Sequence, residues 1–252
     1  VSVGRAILLS LFFTTLLALW GCAKDAAPKT GRVDYVSNRN AAMVKEKGEE
    51  VMRSSCPIGM LLIPSGPALF GPVEERNVAE DKQPAQKMSM KAFCIDKFEY
   101  PNQPGEAPMR SVSWLEAGKL CKEKGKRLCS EYEFEKACRG PSSTLYAYGD
   151  GYASNVCPSS ADDYGSGQFT NCVSGFGVQD MSGGVFEWTS SSGAAGSSGE
   201  SSESRVLRGG YSKENSPQSG RCTYRVRHGV GNAGRDIGFR CCGAPSKEEL
   251  SK

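Results

Sequence analysis

The chain has 252 residues, 38% hydrophobic and 23% charged, enough for one large domain or two small ones. A net charge of +3 is too weak to argue for a nucleic-acid partner, and a single histidine, His228, excludes a site built from several imidazoles. Thirty glycines predict a turn-rich fold, and eleven cysteines with no C-x-x-C spacing point to disulfides in an oxidising compartment rather than to zinc.

At the N-terminus, Arg5 precedes an apolar run, Ala6–Leu19, too short for a typical spanning helix. It ends in Leu19-Trp20-Gly21-Cys22. A small residue before cysteine after such a run resembles the lipobox of bacterial lipoproteins. That resemblance implies a signal peptide over residues 1–21, a diacylglycerol on the Cys22 sulfur, and anchorage in a lipid bilayer. Ala23 stands where inner-membrane lipoproteins often carry Asp, which favours the outer membrane, with the protein facing periplasm or surface. The other reading is an ordinary secretory signal with an incidental cysteine. With Cys22 lipidated, the remaining cysteines are even in number, as a disulfide framework requires.

Residues 22–55 are polar and read as a tether, with room for a short helical stretch over Ala41–Arg53. The domain spans 56–245 and a tail 246–252. Met60–Ile63 is a short buried strand, and Ala68–Gly71 reads as a second strand paired back on it. Lys87–Asp96 alternates through Met88, Met90, Ala92 and Cys94 as one strand that Phe98–Tyr100 continues. Two helices follow. Ser113 with Glu116 and Ser130 with Glu133 each make a capping box, with Trp114, Ala117 and Cys121 on one inner face and Phe134, Ala137 and Cys138 on the other. Gly125 and Gly140 are the stop signals. Beyond Pro141, short apolar pieces are punctuated by Gly, Ser and Asp. Ser190–Ser204 has nothing to bury and reads as a surface loop.

Six segments stand in order: RLCSEYEFEKACRG at Arg127–Gly140, YAYGD at Tyr146–Asp150, GVQDMSGGVFEW at Gly177–Trp188, RVLRGGYS from Arg205, RCTYRVR from Arg221, and DIGFRCC at Asp236–Cys242. In this order they resemble the formylglycine-generating enzyme (sulfatase-modifying factor) family over Cys56–Cys242. The resemblance implies an α+β fold related to C-type lectins, irregular, disulfide-rich and with little regular secondary structure. It also implies two disulfides, Cys121–Cys241 and Cys138–Cys222. Cys157–Cys172 is added because the two bracket one acidic loop, Cys56–Cys94 by strand proximity, and Cys129–Cys242 is the remaining pair.

The enzyme that names the family oxidises a substrate cysteine with copper held by two thiolates, soft ligands suited to Cu(I). In the family those cysteines lie between the RGG and RC segments. Here that interval, Tyr211–Gly220, reads YSKENSPQSG and has none, so copper is not expected. His228 alone cannot build the iron site of a second catalytic branch. Calcium is implied at Asn155, the Val156 carbonyl, Asp162 and Asp163, which offer hard oxygen donors; a solvated acidic loop is the equal alternative. The family's second calcium site draws on an asparagine where Gly184 stands here. Arg221, Arg225, Arg227, His228, Arg235 and Arg240 form a basic cluster whose family counterpart borders the substrate groove. These guanidinium groups either hold a peptide, carboxylate or glycan or pair internally with Asp180, Glu187 and Asp236. The expected function is non-catalytic binding of a peptide, a glycan or an envelope partner in a groove near Tyr211, Arg225, Arg227 and His228. A divergent oxidase and a structural component of the envelope are the rival expectations.

Overall fold

The computed structural model describes residues 41–43, 53–71, 85–162, 164–193, 203–210 and 217–248, all within the unit Val36–Lys252. In chain order the elements are β1 (Ala41–Met43), β2 (Arg53–Ser55), β3 (Met60–Ile63), β4 (Gly66–Phe70), β5 (Gln86–Met90), β6 (Phe93–Asp96), α1 (Trp114–Glu123), β7 (Arg127–Leu128) and α2 (Glu131–Arg139). Then come β8 (Phe186–Ser192), β9 (Ser204–Gly209), β10 (Arg225–Gly229), β11 (Ile237–Gly238), β12 (Cys241–Gly243) and β13 (Ser246–Glu248). The two helices and many short strands give the irregular α+β architecture that the sequence implied.

β3 and β6 are buried along their whole length and pair antiparallel, with Leu62 opposite Cys94. β12 and β7 extend that sheet in the order β3-β6-β12-β7. A second sheet runs β10-β9-β8-β11, with Trp188 opposite Leu207 and a bulge between Trp188 and Ser192. β4 therefore does not fold back on β3. It pairs with β5 in a separate ribbon, because β3 is wholly apolar and takes the equally buried β6, whereas β4 and β5 are half exposed. For the same reason Lys87–Asp96 is not one strand: it breaks at Lys91–Ala92 and serves two sheets. Phe98–Tyr100 is a loop, since the Phe98 N–H turns to Asn102 Oδ1 and the Tyr100 N–H to the Phe239 carbonyl. Within the stretch read as a tether, β2 pairs with β1 and with β13, so Ala41–Met43 is extended rather than helical. The Ser55 and Ser246 hydroxyls meet at 2.7 Å there.

Both helices start at the serines that the sequence marked. Ser130 and Glu133 complete a reciprocal capping box, while Ser113 supplies only its own half, accepting from the Glu116 N–H. Ala117 and Cys121 of α1, and Phe134, Ala137 and Cys138 of α2, face inward. Five disulfides staple these elements: Cys56–Cys94, Cys121–Cys241, Cys129–Cys242, Cys138–Cys222 and Cys157–Cys172. Two of them tie the helices to distant chain, and the adjacent Cys241 and Cys242 go to different partners, as alternation across a strand requires.

Two large apolar clusters, and a small one of Met60, Leu62 and Cys94, fill the interior of the described residues. One large cluster gathers Phe186, Trp188, Leu207, Ile237 and Phe239 under α1; the other gathers Phe134, Val178 and Met181 with Ile63 and Ile95. Trp188 is 1% exposed, and its indole N–H reaches the Val112 carbonyl at 2.8 Å.

Candidate functional site

The Gly177–Trp188 segment throws its aromatics into the core and places Asp180 and Glu187 with them. Asp180 holds φ of +60°, a conformation that asparagine and aspartate tolerate best among residues with side chains. Its Oδ2 accepts from the Gly167 N–H at 2.6 Å, while its buried Oδ1 has no partner among the described residues. Nearby, Glu99 accepts from the Tyr164 hydroxyl at 2.8 Å and from Ser166 at 3.1 Å. Glu187 takes two 2.7 Å bonds from Arg240, whose remaining N–H groups reach the Asp96, Lys97 and Gln179 carbonyls. Arg240 is thus an internal tie, the pairing alternative left open by the sequence.

Burial, followed by the Glu99 charge, pushes Asp180 up to about 7. Burial also pushes Glu187 up to about 7, although Arg240 pulls it back. With two bonds from Arg240, Glu187 is the better place for the negative charge, and Asp180 keeps the proton more readily. Burial and Glu99 likewise raise the Tyr164 phenol well above its ordinary value.

Gly184, where the family has asparagine, sits at φ +66°, and a Cβ there would collide with the Tyr164 hydroxyl. Tyr164 fills the space beside Gly184, and its hydroxyl oxygen receives the Val185 N–H at 3.2 Å. Neither Tyr164 nor Glu99 carried a sequence signal of this role.

A second polar network lies between α2 and β9. Arg208 Nη2 contacts Glu131 and Glu135, each at 3.0 Å; Arg139 approaches Glu135 at 3.2 Å, and the Gly71 N–H donates to Glu135. Arg225 joins through Glu131 at 3.1 Å. The i,i+4 spacing of Glu131 and Glu135, flanking buried Phe134, was the available signal for these buried acids.

Of the residues expected to line a groove, the described ones, Arg225, Arg227 and His228, turn to different partners. Arg225 is committed to Glu131, Arg227 runs beside Gly193 and Ser204, and His228 Nδ1 meets Asn232 Nδ2 at 3.3 Å. The cause is β10 itself: it is paired along its length with β9, which draws Arg225 onto the α2 acids. Tyr211 lies outside the described residues. A shallow hollow of about 20 Å³ is lined by Tyr148, Tyr152, Ala153, Ser182, Gly210 and Gly220. Buried Tyr146 backs the two lining tyrosines, stacking on Tyr148 at 5.4 Å and leaning against Tyr152 at 5.7 Å.

Of the four residues expected to hold calcium, three are described. Asn155 is exposed, and the Val156 N–H turns toward the Ala153 carbonyl. Asp162 is ion-paired with Arg110, and Asp163 lies outside the described residues. No cluster of three or more His, Cys, Asp or Glu suited to a metal is found among the described residues. Every described cysteine is in a disulfide, so none of them offers a thiolate for Cu(I). Cys22 lies outside the described residues, and among those described no helix is long and apolar enough to cross a membrane.

Comparison with known proteins places this geometry. Residues 99–244 match the sulfatase-modifying factor enzyme 1-like domain. The "Inactive C-alpha-formylglycine-generating enzyme 2" of Mus musculus is 29% identical over 165 residues, covering 58% of this chain and 52% of that protein. The chain thus spans about half the length of this curated relative. Among solved structures, PvdO from Pseudomonas aeruginosa aligns with a TM-score of 0.56 at 21% identity, over 73% of this chain and 94% of that one. Treponema denticola variable protein 1 aligns with a TM-score of 0.55 at 16% identity, over 81% and 99%. At such identities these two structures speak for the fold alone. With the matched domain covering more than half of the sequence, the chain belongs to the sulfatase-modifying factor (formylglycine-generating enzyme) family.

Proposed function

We propose that the protein is a lipoprotein, held in the envelope through acylated Cys22, whose sulfatase-modifying-factor domain binds a peptide, a glycan or an envelope protein without oxidising it. The observation that carries this reading is the cysteine inventory. Tyr211–Gly220 has no cysteine, and the ten cysteines of the domain are consumed as five structural cross-links. A relative named as inactive supports it. The surface assigned to the ligand is the one edged by Tyr148 and Tyr152 beside Gly210 and Gly220; its hollow holds only about 20 Å³, so the ligand lies across it, against aromatic faces and backbone groups, rather than inside a pocket.

Site-specific photo-crosslinking in intact cells tests this reading. A photoreactive residue replacing Ala153, in the cleft, should give a discrete adduct. The same residue replacing Lys119, on the exposed face of α1, should not. No adduct from position 153, or equal adducts from both, counts against the cleft. Anchorage is read separately: Cys22→Ser should abolish incorporation of a fatty-acid label and release the protein from membranes.

A further inference from the structure

A second cavity, of about 420 Å³, shares no lining residue with the tyrosine cleft. It falls in the roughly 300–1,000 Å³ range of small-ligand pockets. Its walls are the Phe98–Pro104 loop, the Gly59 turn and the segment after α1. These walls are held firmly. Tyr100 stacks on Phe239 at 4.7 Å. Asn102 Nδ2 donates to the Gly59 carbonyl at 2.9 Å, and the Lys97 N–H reaches the same carbonyl at 3.1 Å. Cys241, bonded to Cys121, forms part of the floor.

The charges are lopsided. Lys97, Lys124 and Lys126 line the cavity against one carboxylate, Asp96. Asp96 is 1% exposed and already spent internally: Oδ1 accepts from Lys126 Nζ at 2.6 Å and from Asn102 at 3.2 Å, and Oδ2 from the Cys241 N–H at 3.2 Å. An ammonium has three donors, so Lys126 can serve Asp96 and still face a ligand. Lys97 is half-buried with its Nζ 5.0 Å from the Phe98 ring centre, and Lys124 is exposed at the end of α1. Tyr100, Pro101, Pro104 and the fully exposed Ile58 supply apolar surface beside these cations.

We propose that this cavity binds a carboxylate carrying a compact apolar body, its oxygens toward Lys126 and Lys97 and its apolar part against Tyr100, Pro101 and Ile58. Such a carboxylate is either a free organic acid or the C-terminus of a peptide. The site is independent of the tyrosine cleft, so each stands or falls alone.

Calorimetric titration of the full-length, disulfide-intact protein tests the site. The probes are N-acetylphenylalanine and the peptide Ala-Ala-Phe, each as free acid and as C-terminal amide. At least one acid should bind saturably with Kd at or below about 1 mM, and its amide about tenfold more weakly. Tighter binding of the peptide assigns the site to chain termini, and tighter binding of the acetylated amino acid to small acids. Lys97→Ala with Lys124→Ala should weaken the acid about tenfold at unchanged melting temperature, whereas Lys119→Ala, on the outer face of α1, should change nothing. No saturable binding of either acid, equal binding of acid and amide, or equal loss in the Lys119 variant overturns the proposal.

Discussion

Arg240→Met is the most informative single change in the core. Arg240 is 1% exposed, gives two 2.7 Å bonds to Glu187, and caps the carbonyls of Asp96, Lys97 and Gln179. Methionine fills similar space, so the loss is electrostatic rather than a cavity. Breaking a buried pair by removing one member costs about 3–5 kcal/mol, because the other charge is left uncompensated. That cost depends on pH. Glu187 and Asp180 already lie raised, at about 7, and Arg240 is a force holding both down. Without it their pKa values climb further, each added unit costing about 1.4 kcal/mol above the pKa. Toward pH 5 protonation of the raised carboxyls removes charge that Arg240 would otherwise balance, and the loss shrinks toward that of the carbonyl bonds, roughly 1–2 kcal/mol. At pH 8 the full loss of about 4 kcal/mol is expected. Guanidinium unfolding under non-reducing conditions, followed by the fluorescence of buried Trp188, measures both. A loss below about 1 kcal/mol at pH 8, or one equal at the two pH values, would refute the assignment of Arg240 as the counter-ion of this acidic core.

Four further outcomes follow from the same structure. Asp180 is raised in the fold above its unfolded value, so the folded state holds its proton longer and its contribution to stability falls as pH rises from about 4 to about 7. Asp180→Asn should flatten that decline, by up to about 4 kcal/mol across the window, in urea titrations at fixed salt. Glu135→Ala leaves Arg208 and Arg139 buried without their shared carboxylate and should cost about 3–5 kcal/mol in the same assay. Gly184→Asn should cost about 1–3 kcal/mol by forcing Tyr164 aside, with no calcium-dependent rise in melting temperature. Replacing Cys129 and Cys242 together by serine should cost about 2–4 kcal/mol in thermal melts, as expected for a cross-link spanning 113 residues.

The elements legible in the sequence were those with a local signature. Ser130 and Glu133 mark a helix start without help from the rest of the chain, whereas the strand that carries Phe186 and Trp188 was not legible from its glycine-rich lead-in. Strand partners were less legible. β4 follows β3 closely but pairs with β5, a choice made by how much of each strand is buried rather than by proximity. The polar core was the hardest part. Arg240 and Glu187 were candidates for each other, but Glu99, Tyr164 and Ser166 come from loops whose approach no periodicity encodes. For Arg225 the sequence left ligand holding and internal pairing open and did not point to its partner, Glu131, which lies on α2, far away in sequence. The cavity beside Tyr100 and Lys126 joins three separate segments and leaves no linear trace.

The most direct test of the central claim, a family domain without the copper chemistry, is a Cu(I) titration of the native protein with a cysteine-containing peptide under oxygen. The described cysteines are locked in disulfides, and Tyr211–Gly220 supplies none. The expected result is no stoichiometric thiolate-bound copper and no conversion of the peptide cysteine to an aldehyde. One equivalent of Cu(I) bound through cysteine sulfur, with oxygen uptake and aldehyde formation, would contradict it.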